Sequence, residues 1–395
     1  MCILMSLLTV NIGSSSLKLA LFDDAATVRK AAVSVERIGA TGTRLVIVGS
    51  GGAIEHRVEG EHHAEAIEQV FRHFPELFSS TLRAIGHRIV HGGVDHAKPE
   101  PITADLLDDL CKIERLDPTH LPQSLAVVEA VRQRCPNVRQ FACFDTTFHR
   151  TMPAVAQRYP LPAWTAETGV RRYGFHGLSC ESIIGQLKQL DARAIAGRML
   201  IAHLGNGASV TAVRDGLSVD TSMGFSPTGG LMMGTRSGDL DPTVVTFLAR
   251  ARAMTPEAVE KVVNEESGLL GVSGQSRDMR DLLERAASDS RAADAIELYG
   301  YIARKHFGAL AAVLGGVDTI VFTGGVGEHA PEIREKICGS LKYLGVHFDP
   351  KRNEANESVI SAENSRVVVR VIATDEDLVI ARHVAALLTK GASDV

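Results

Sequence analysis

Leu7–Asp23, LLTVNIGSSSLKLALFD, is the stretch on which the fold turns. The apolar run Leu7, Leu8, Val10 reads as a buried strand. Leu17, Leu19 and Leu21 alternate like its partner, so Gly13 to Ser16 form the turn of a hairpin. Small residues there leave backbone N–H groups and three hydroxyls exposed, which suits phosphate oxygens. An ordinary Ser-rich turn has the same composition. A Walker loop would need Gly-x-x-x-x-Gly-Lys-Ser/Thr between a strand and a helix, and no such string occurs in the chain. If the chain handles a nucleotide, it does so with another fold.

At 395 residues the chain is long for a single core, and two domains are expected. A hydrophobic content of 45% with 23% charged residues describes an ordinary globular protein rather than a disordered one. The net charge of −5 gives no reason to expect nucleic acid as a partner. Cys2, Cys111, Cys135, Cys143, Cys180 and Cys338 lie far apart without a C-x-x-C pair, so neither a zinc site nor a disulfide framework is indicated. Reduced thiols in a cytoplasm are the simplest reading. The N-terminal MCILMSLLTV has no basic region or cleavage signature. The apolar stretch Phe307 to Val326 is broken by Asp318 and several glycines, which excludes a membrane span.

Strand-like runs (45–48, 84–90, 140–144, 199–204, 319–323, 367–373) alternate with helical patterns at 64–71, 104–114, 121–135, 179–190, 242–251, 291–314 and 376–388. That alternation predicts an α/β fold with mostly buried sheets. A strand followed by a Gly-rich turn appears three times, at Asn11 to Ser16, at His203 to Ser209 (HLGNGAS) and at Thr323 to Glu328 (TGGVGE). Each alone is an ordinary tight turn; three together could close around one polyphosphate.

The densest polar segment, Asp220 to Pro242, sets Arg236 among glycines, where an anion can approach it unhindered. Arg280 lies in similar surroundings, and Arg88 directly follows strand residues, at the kind of strand end where α/β folds place ligands. Asp145 ends the apolar run Phe141 to Phe144; an acid there can hold Mg²⁺ or orient an attacking oxygen, or simply cap a helix. His176 sits between Phe175 and Gly177 and reads equally as a loop histidine. Glu376 opens a helix, with Thr374 and Asp377 fitting a capping box. His203, His87, His91 and His120 complete the histidine candidates. None shows H-E-x-x-H spacing, and no Gly-x-Ser-x-Gly elbow occurs. What remains has the composition of a phosphoryl-transfer site.

Taken together, NIGSSSLK, GHRIVHGG, FDTTFHRTMP, YGFHGLS, HLGNGAS, DTSMGFSPTGGLMMGTRSGDLDP, FTGGVGEHAPEIR and TDEDLVIAR resemble the acetate kinase family, in order and along nearly the whole chain. The resemblance implies two similar α/β domains of the ribonuclease H-like, actin-like ATPase type around a nucleotide cleft. It places residues 1–149 plus 377–395 in one domain and 150–376 in the other. It also implies reversible ATP-dependent phosphorylation of a short carboxylate, with Mg²⁺ (or Mn²⁺), ATP/ADP and a homodimer.

By motif, Asn11, Ser16 and Lys18 match the first phosphate hairpin, and Arg88 and Arg236 the two arginines that clamp carboxylate and phosphoryl group. Asp145 and Glu376, with Asn11, match the surroundings of the metal. His176 matches the histidine beside the phosphoryl group, and His203, Asn206 and Gly207 the second phosphate loop. The nucleotide falls on Asp278, Met279, Arg280 and on Gly325, Val326, Gly327 and Glu328. Val90, Phe175 and Pro227 match the apolar wall of the acyl pocket.

The chain departs from the family at that pocket. Where members commonly carry Leu-His-Asn-Pro, this sequence reads Asp117-Pro118-Thr119-His120-Leu121-Pro122, with Thr119 in the place of an apolar wall residue. A propionate or butyrate kinase of the same fold is therefore the nearest alternative. An actin- or Hsp70-type ATPase without a carboxylate substrate is a distant one, for which the chain offers no separate peptide-binding domain.

Overall fold

The computed structural model describes residues 5–13, 16–39, 43–49, 52–58, 62–78 and 81–390. Ser14 and Ser15 of the hairpin turn, Cys2 and the N-terminal Met1 to Leu4 lie outside the described residues. The chain divides into unit 1, Met1–Thr147 with Asp375–Val395, and unit 2, Phe148–Thr374. These divisions fall two residues before the expected boundaries and move Glu376 into unit 1.

Unit 1 contains β1 (Ser6–Gly13), β2 (Ser16–Asp23), β3 (Arg29–Glu36), β4 (Arg44–Gly49), β5 (Gly52–Arg57), β6 (Leu82–Ile89), β7 (Glu100–Pro101) and β8 (Arg139–Phe144), in the sheet order β5-β4-β3-β2-β1-β6-β8-β7. The hairpin read from the sequence is present: β1 pairs antiparallel with β2, from Ser6 opposite Asp23 to Gly13 opposite Ser16. β6 lies parallel to β1 on one side and to β8 on the other.

Residue parity along β1 explains how one strand serves both core and site. Leu8, Val10 and Ile12 pack with the helices His63–His73 and Leu121–Arg134. Leu7, on the opposite face, joins the cluster of Ala381, Val384 and Leu388 from the helix Glu376–Lys390. Thr9 and Asn11 continue that second face, because side chains alternate with a period of two. They meet the first turn of the same helix: Thr9 Oγ1 donates to Asp377 Oδ1 (3.1 Å), and Asn11 Nδ2 to Glu376 Oε2 (2.9 Å). The helix lies close because Gly86 in β6 carries no side chain; a Cβ there would stand 2.5 Å from Ile380 Cγ2.

Unit 2 repeats the plan. β9 (Arg198–Leu204), β10 (Ala208–Arg214), β11 (Leu217–Thr221), β12 (Thr319–Thr323) and β13 (Val368–Val371) form a sheet ordered β11-β10-β9-β12-β13. The first three strands are antiparallel and the last two run parallel to β9. This is the order of β3-β2-β1-β6-β8, so both units share one five-stranded topology. The helix Ser290–Leu314 buries Tyr299, Phe307 and Leu314.

Two sequence readings are corrected. TGGVGE is not a turn: Gly324–His329 is a short helix entered directly from β12. Its first N–H, on Gly324, donates to Glu328 Oε1 (2.8 Å), so the glycines cost less helix than their propensity implies. The expected Thr374–Asp377 capping box is absent. Asp375 Oδ1 caps the helix by accepting from the Leu378 N–H (3.0 Å), and Asp377 turns inward to Thr9.

His87 is a buried core histidine whose Nε2 lies 2.7 Å from Gln140 Oε1; burial pushes its pKa down to about 4. The neutral ring therefore stabilises unit 1 fully only above its unfolded pKa of 6.5, and that contribution is lost progressively as pH falls from there toward 4. His87→Gln keeps a donor for Gln140 without the titration. In urea unfolding, wild type should lose about 2 kcal/mol more than this variant between pH 7 and pH 5; equal losses would contradict the assignment.

Candidate active site

The candidate residues of unit 1 gather where parallel strands end, the position at which open α/β sheets leave backbone and side chains accessible. Asn11 lies near the end of β1, Arg88 near the end of β6, and Asp145 directly after β8. Arg88 Nη2 meets Asp145 Oδ2 at 2.6 Å, and Nη1 donates to the Ile12 carbonyl. Asp145 is 1% exposed, so this is a desolvated ion pair. Burial opposes the charge on Arg88, but Asp145 and, less strongly, Glu376 and Asp117 outweigh it and raise its pKa above the ordinary arginine value. The Asp145 carboxylate holds Arg88.

Asn11 and Lys18 face each other across the hairpin ladder and share one face of the sheet. Glu376 is bonded to Asn11 on that face, and Lys18 is exposed. Ser16 closes the hairpin opposite Gly13. Sequence reasoning passed over His63, which supports this turn from the core side: its Nε2 lies 2.8 Å from the Gly13 carbonyl, and burial lowers its pKa. The signal was present, since His63 begins the stripe His63, Ala66, Ile67, Val70, Phe71.

Unit 2 assembles a second set. His176 precedes the helix Gly177–Leu190 in the left-handed region, at φ 59°, a conformation uncommon outside glycine and often found at functional sites. Its Nδ1 lies 2.9 Å from Ser209 Oγ, and its ring stacks on His203 with centroids 4.2 Å apart. His203 is fixed in turn by Ser179 Oγ at 2.8 Å. Gly205 to Gly207 link β9 to β10, the counterpart of the β1–β2 turn. A Cβ at Gly207 would lie 3.1 Å from His176 Nε2 and 3.4 Å from Arg236 Nη2, which places all three residues together. Arg236 Nη1 donates to the Pro227 carbonyl (2.7 Å), and the Gly234 N–H to the Asn206 carbonyl (3.1 Å).

Thr323 pairs with His203 in the parallel ladder, so the Gly324–His329 helix begins beside the second loop. Gly325 faces open space: a Cβ added to it would meet nothing within 4 Å. Glu328 is engaged: Oε1 accepts from Gly324 N, Thr323 Oγ1 and Thr374 N. Asp278 caps the helix Met279–Arg285 and pairs with Arg280 at 3.0 Å. Although burial pushes the Asp278 carboxyl up, the hydrogen bonds and charge of Arg280 bring it below the usual range. The Met279 side chain is buried, whereas that of Arg280 is 81% exposed.

Of the residues expected to line an acyl pocket, Val90 is buried in unit 1, and Phe175 and Pro227 are buried in unit 2. The Phe175 carbonyl is held by His149 Nε2 (2.8 Å), a buried residue of the FDTTFHR motif that sequence reasoning left without a role. In the departing segment, Asp117 Oδ1 lies 2.9 Å from His120 Nδ1 and accepts from the His120 N–H. Burial pushes the Asp117 carboxyl up, but His120 more than offsets this and holds it low. His91 Nδ1 accepts from the Gly93 N–H (2.8 Å). Among the described residues, no three His, Cys, Asp or Glu side chains form a cluster able to hold a metal ion by themselves.

Residues 6–382 match the model of the acetokinase family. The chain belongs to that family. It is 44% identical to the acetate kinase of Rhodopseudomonas palustris, over 98% of this chain and 99% of that protein. Its structure is similar to the crystal structure of Porphyromonas gingivalis acetate kinase, with TM-score 0.84 and 37% identity, covering 97% of this chain and 100% of that one. It is also similar to a propionate kinase from Francisella tularensis, with TM-score 0.87 and 35% identity over 96% and 98% of the two chains. The acetokinase family fold is thus the two-sheet α/β arrangement described above.

Removing one partner of a desolvated ion pair leaves the other charge buried alone. Arg88→Gln should therefore destabilise unit 1 by about 3 kcal/mol in urea unfolding, and the Arg88→Gln/Asp145→Asn double variant should recover more than half of that. A double variant as unstable as the single one would show that Asp145 is not the reason.

Proposed function

We propose that the chain transfers the γ-phosphoryl group of ATP reversibly to acetate, forming acetyl phosphate and ADP. Membership of the acetokinase family supports this reading. The observation that carries it is a pair of arginines, each held by a backbone carbonyl: Arg88 by Ile12, Arg236 by Pro227. A guanidinium already fixed loses less freedom on meeting an anion, and its planar fork suits carboxylate and phosphoryl oxygens.

In the forward reaction a carboxylate oxygen forms a bond to the γ-phosphorus while the bond from phosphorus to the bridging oxygen breaks, and its electron pair leaves with ADP. Acetate is already an anion at neutral pH, so no base has to remove a proton. The obstacle is repulsion between two anions. Arg88 and Arg236 offset it, with His176 donating to the transferring group. Asn11, Ser16 and Lys18 in unit 1, and His203, Asn206 and Gly207 in unit 2, bind phosphate oxygens. The nucleotide is assigned to Asp278, Met279, Arg280 and Gly325, Val326, Gly327 and Glu328, with the Met279 and Glu328 side chains acting through the shape of their segments.

Glu376, Asp145 and the amide oxygen of Asn11 are hard oxygen donors. They are too few to enclose a cation, which fits Mg²⁺, an ion that keeps waters and takes substrate phosphates as ligands. Bound there, Mg²⁺ (or Mn²⁺) would neutralise charge on the phosphates. A cytoplasmic location is part of the proposal, supported by the buried reduced thiols of Cys135 and Cys338. Among the described residues no helix is long and apolar enough to cross a membrane.

A homodimer is also proposed. The helix Pro242–Ala251 buries none of its residues, exposing Val244, Val245 and Phe247, the last at 65%. Only Leu248 and Ala249 are partly covered, and a ten-residue helix with so little packing is marginal in water, which supports a partner surface on Val244, Val245 and Phe247. Phe247→Asp should convert a dimer to a monomer in sedimentation, and an unchanged mass would remove this face from consideration.

A propionate kinase is the second reading, favoured by the similarity to the Francisella tularensis enzyme and by Thr119. One methylene in an apolar pocket discriminates by only about 1–3 kcal/mol. Acetate should nonetheless give the highest kcat/KM, propionate a lower one and butyrate the lowest; a maximum at propionate would favour the second reading. Arg236→Ala should retain the wild-type melting temperature and lose about 10²- to 10³-fold in kcat. A near-normal kcat would contradict the role given to Arg236.

A further inference from the structure

Arg334, on the helix Pro331–Cys338, is 0% exposed, and its guanidinium makes five hydrogen bonds. Nε donates to Asn353 Oδ1 (2.8 Å), and Nη2 to the Asn353 carbonyl (2.8 Å) and Asn356 Oδ1 (2.6 Å). Nη1 donates to the carbonyls of Gly327 (2.8 Å) and Glu328 (3.0 Å). All five acceptors are neutral oxygens.

Burying a cation against neutral groups is expensive, and an apolar side chain of similar volume could fill the same space. It could not hold Gly327 and Glu328, whose carbonyls lie in the last turn of the Gly324–His329 helix and have no partner within it. The opposite end of that helix is closed by Glu328 Oε1 on the Gly324 N–H. A six-residue segment containing three glycines, too short to be stable alone, is thereby fixed at both ends. Asn353 connects the clamp further, since its Nδ2 donates to the Pro331 carbonyl (2.9 Å).

We infer that Arg334, with Asn353 and Asn356, is a positioning residue for nucleotide binding: it fixes Gly325 to Glu328 in the shape that receives the nucleotide. This rests on the assignment of that segment to the nucleotide. Its consequence is a split in kinetic constants that a merely structural arginine would not produce.

The test uses full-length Arg334→Lys and Asn356→Gly, the latter removing one acceptor at φ 52°, a backbone conformation that glycine adopts readily. KM for ATP and for acetate are measured separately, with calorimetric titration of ADP. For Arg334→Lys, KM for ATP and Kd for ADP should rise about tenfold, the loss of one charge-assisted hydrogen bond, while KM for acetate stays within about twofold. Asn356→Gly should shift in the same direction by a smaller factor, and it carries the test alone if the lysine variant does not fold. Unchanged ADP affinity in folded variants, or both KM values rising together, would overturn the inference. Absence of ADP binding by the wild-type protein would instead overturn the nucleotide assignment beneath it.

Discussion

An arginine charge held out of water must be met by something equally buried, and the pair Arg88–Asp145 states that constraint for unit 1. Arg88 comes from β6 and Asp145 from the residue after β8, two strands that lie parallel and in register. The second guanidinium contact, to the Ile12 carbonyl, adds the end of β1. Three strand ends are thereby tied to one cation. Parallel pairing aligns these ends, and the ion pair fixes which side chains project from them. Asn11, one residue from Ile12, then finds Glu376 on the helix that packs against Gly86.

Unit 2 positions its own set of candidate side chains. Its sheet repeats the strand order of unit 1, and its loop between β9 and β10 stands where the β1–β2 turn stands. Here the ring stack of His176 and His203 and the serines behind them fix the histidines, and the Pro227 carbonyl orients Arg236. Gly207 allows His176 and Arg236 to approach one another. Positioning of this kind is what phosphoryl transfer to a carboxylate demands, because the chemistry needs alignment and charge compensation more than covalent help.

Much of this was legible in the sequence, for physical reasons that can be named. The β1–β2 hairpin could be read because Leu17, Leu19 and Leu21 alternate against a buried run, and period-two alternation has few other meanings. The Gly324–His329 helix could not. Three glycines argue against a helix, and what overrides them is tertiary: Glu328 folding back on Gly324, and Arg334 on the far carbonyls. The capping of Glu376–Lys390 was misread by one residue, since Thr374 and Asp375 are both competent caps and only the contact between Asp377 and Thr9 decides between them. His63 and Arg334 shared another difficulty: each stands in an apolar stripe, at Ile333, Arg334, Ile337 for the second, and a polar residue there signals a buried partner without saying which.

The central claim is transfer of the γ-phosphorus of ATP to a carboxylate oxygen, and it is tested most directly with acetate labelled by ¹⁸O in both carboxylate positions, incubated with the enzyme, ATP and Mg²⁺. The account predicts acetyl phosphate whose ³¹P resonance carries the isotope shift of one bridging ¹⁸O, with ADP formed in equal amount and negligible ATP loss when acetate is omitted. Label appearing in AMP, or ATP hydrolysed equally fast without a carboxylate, would contradict it.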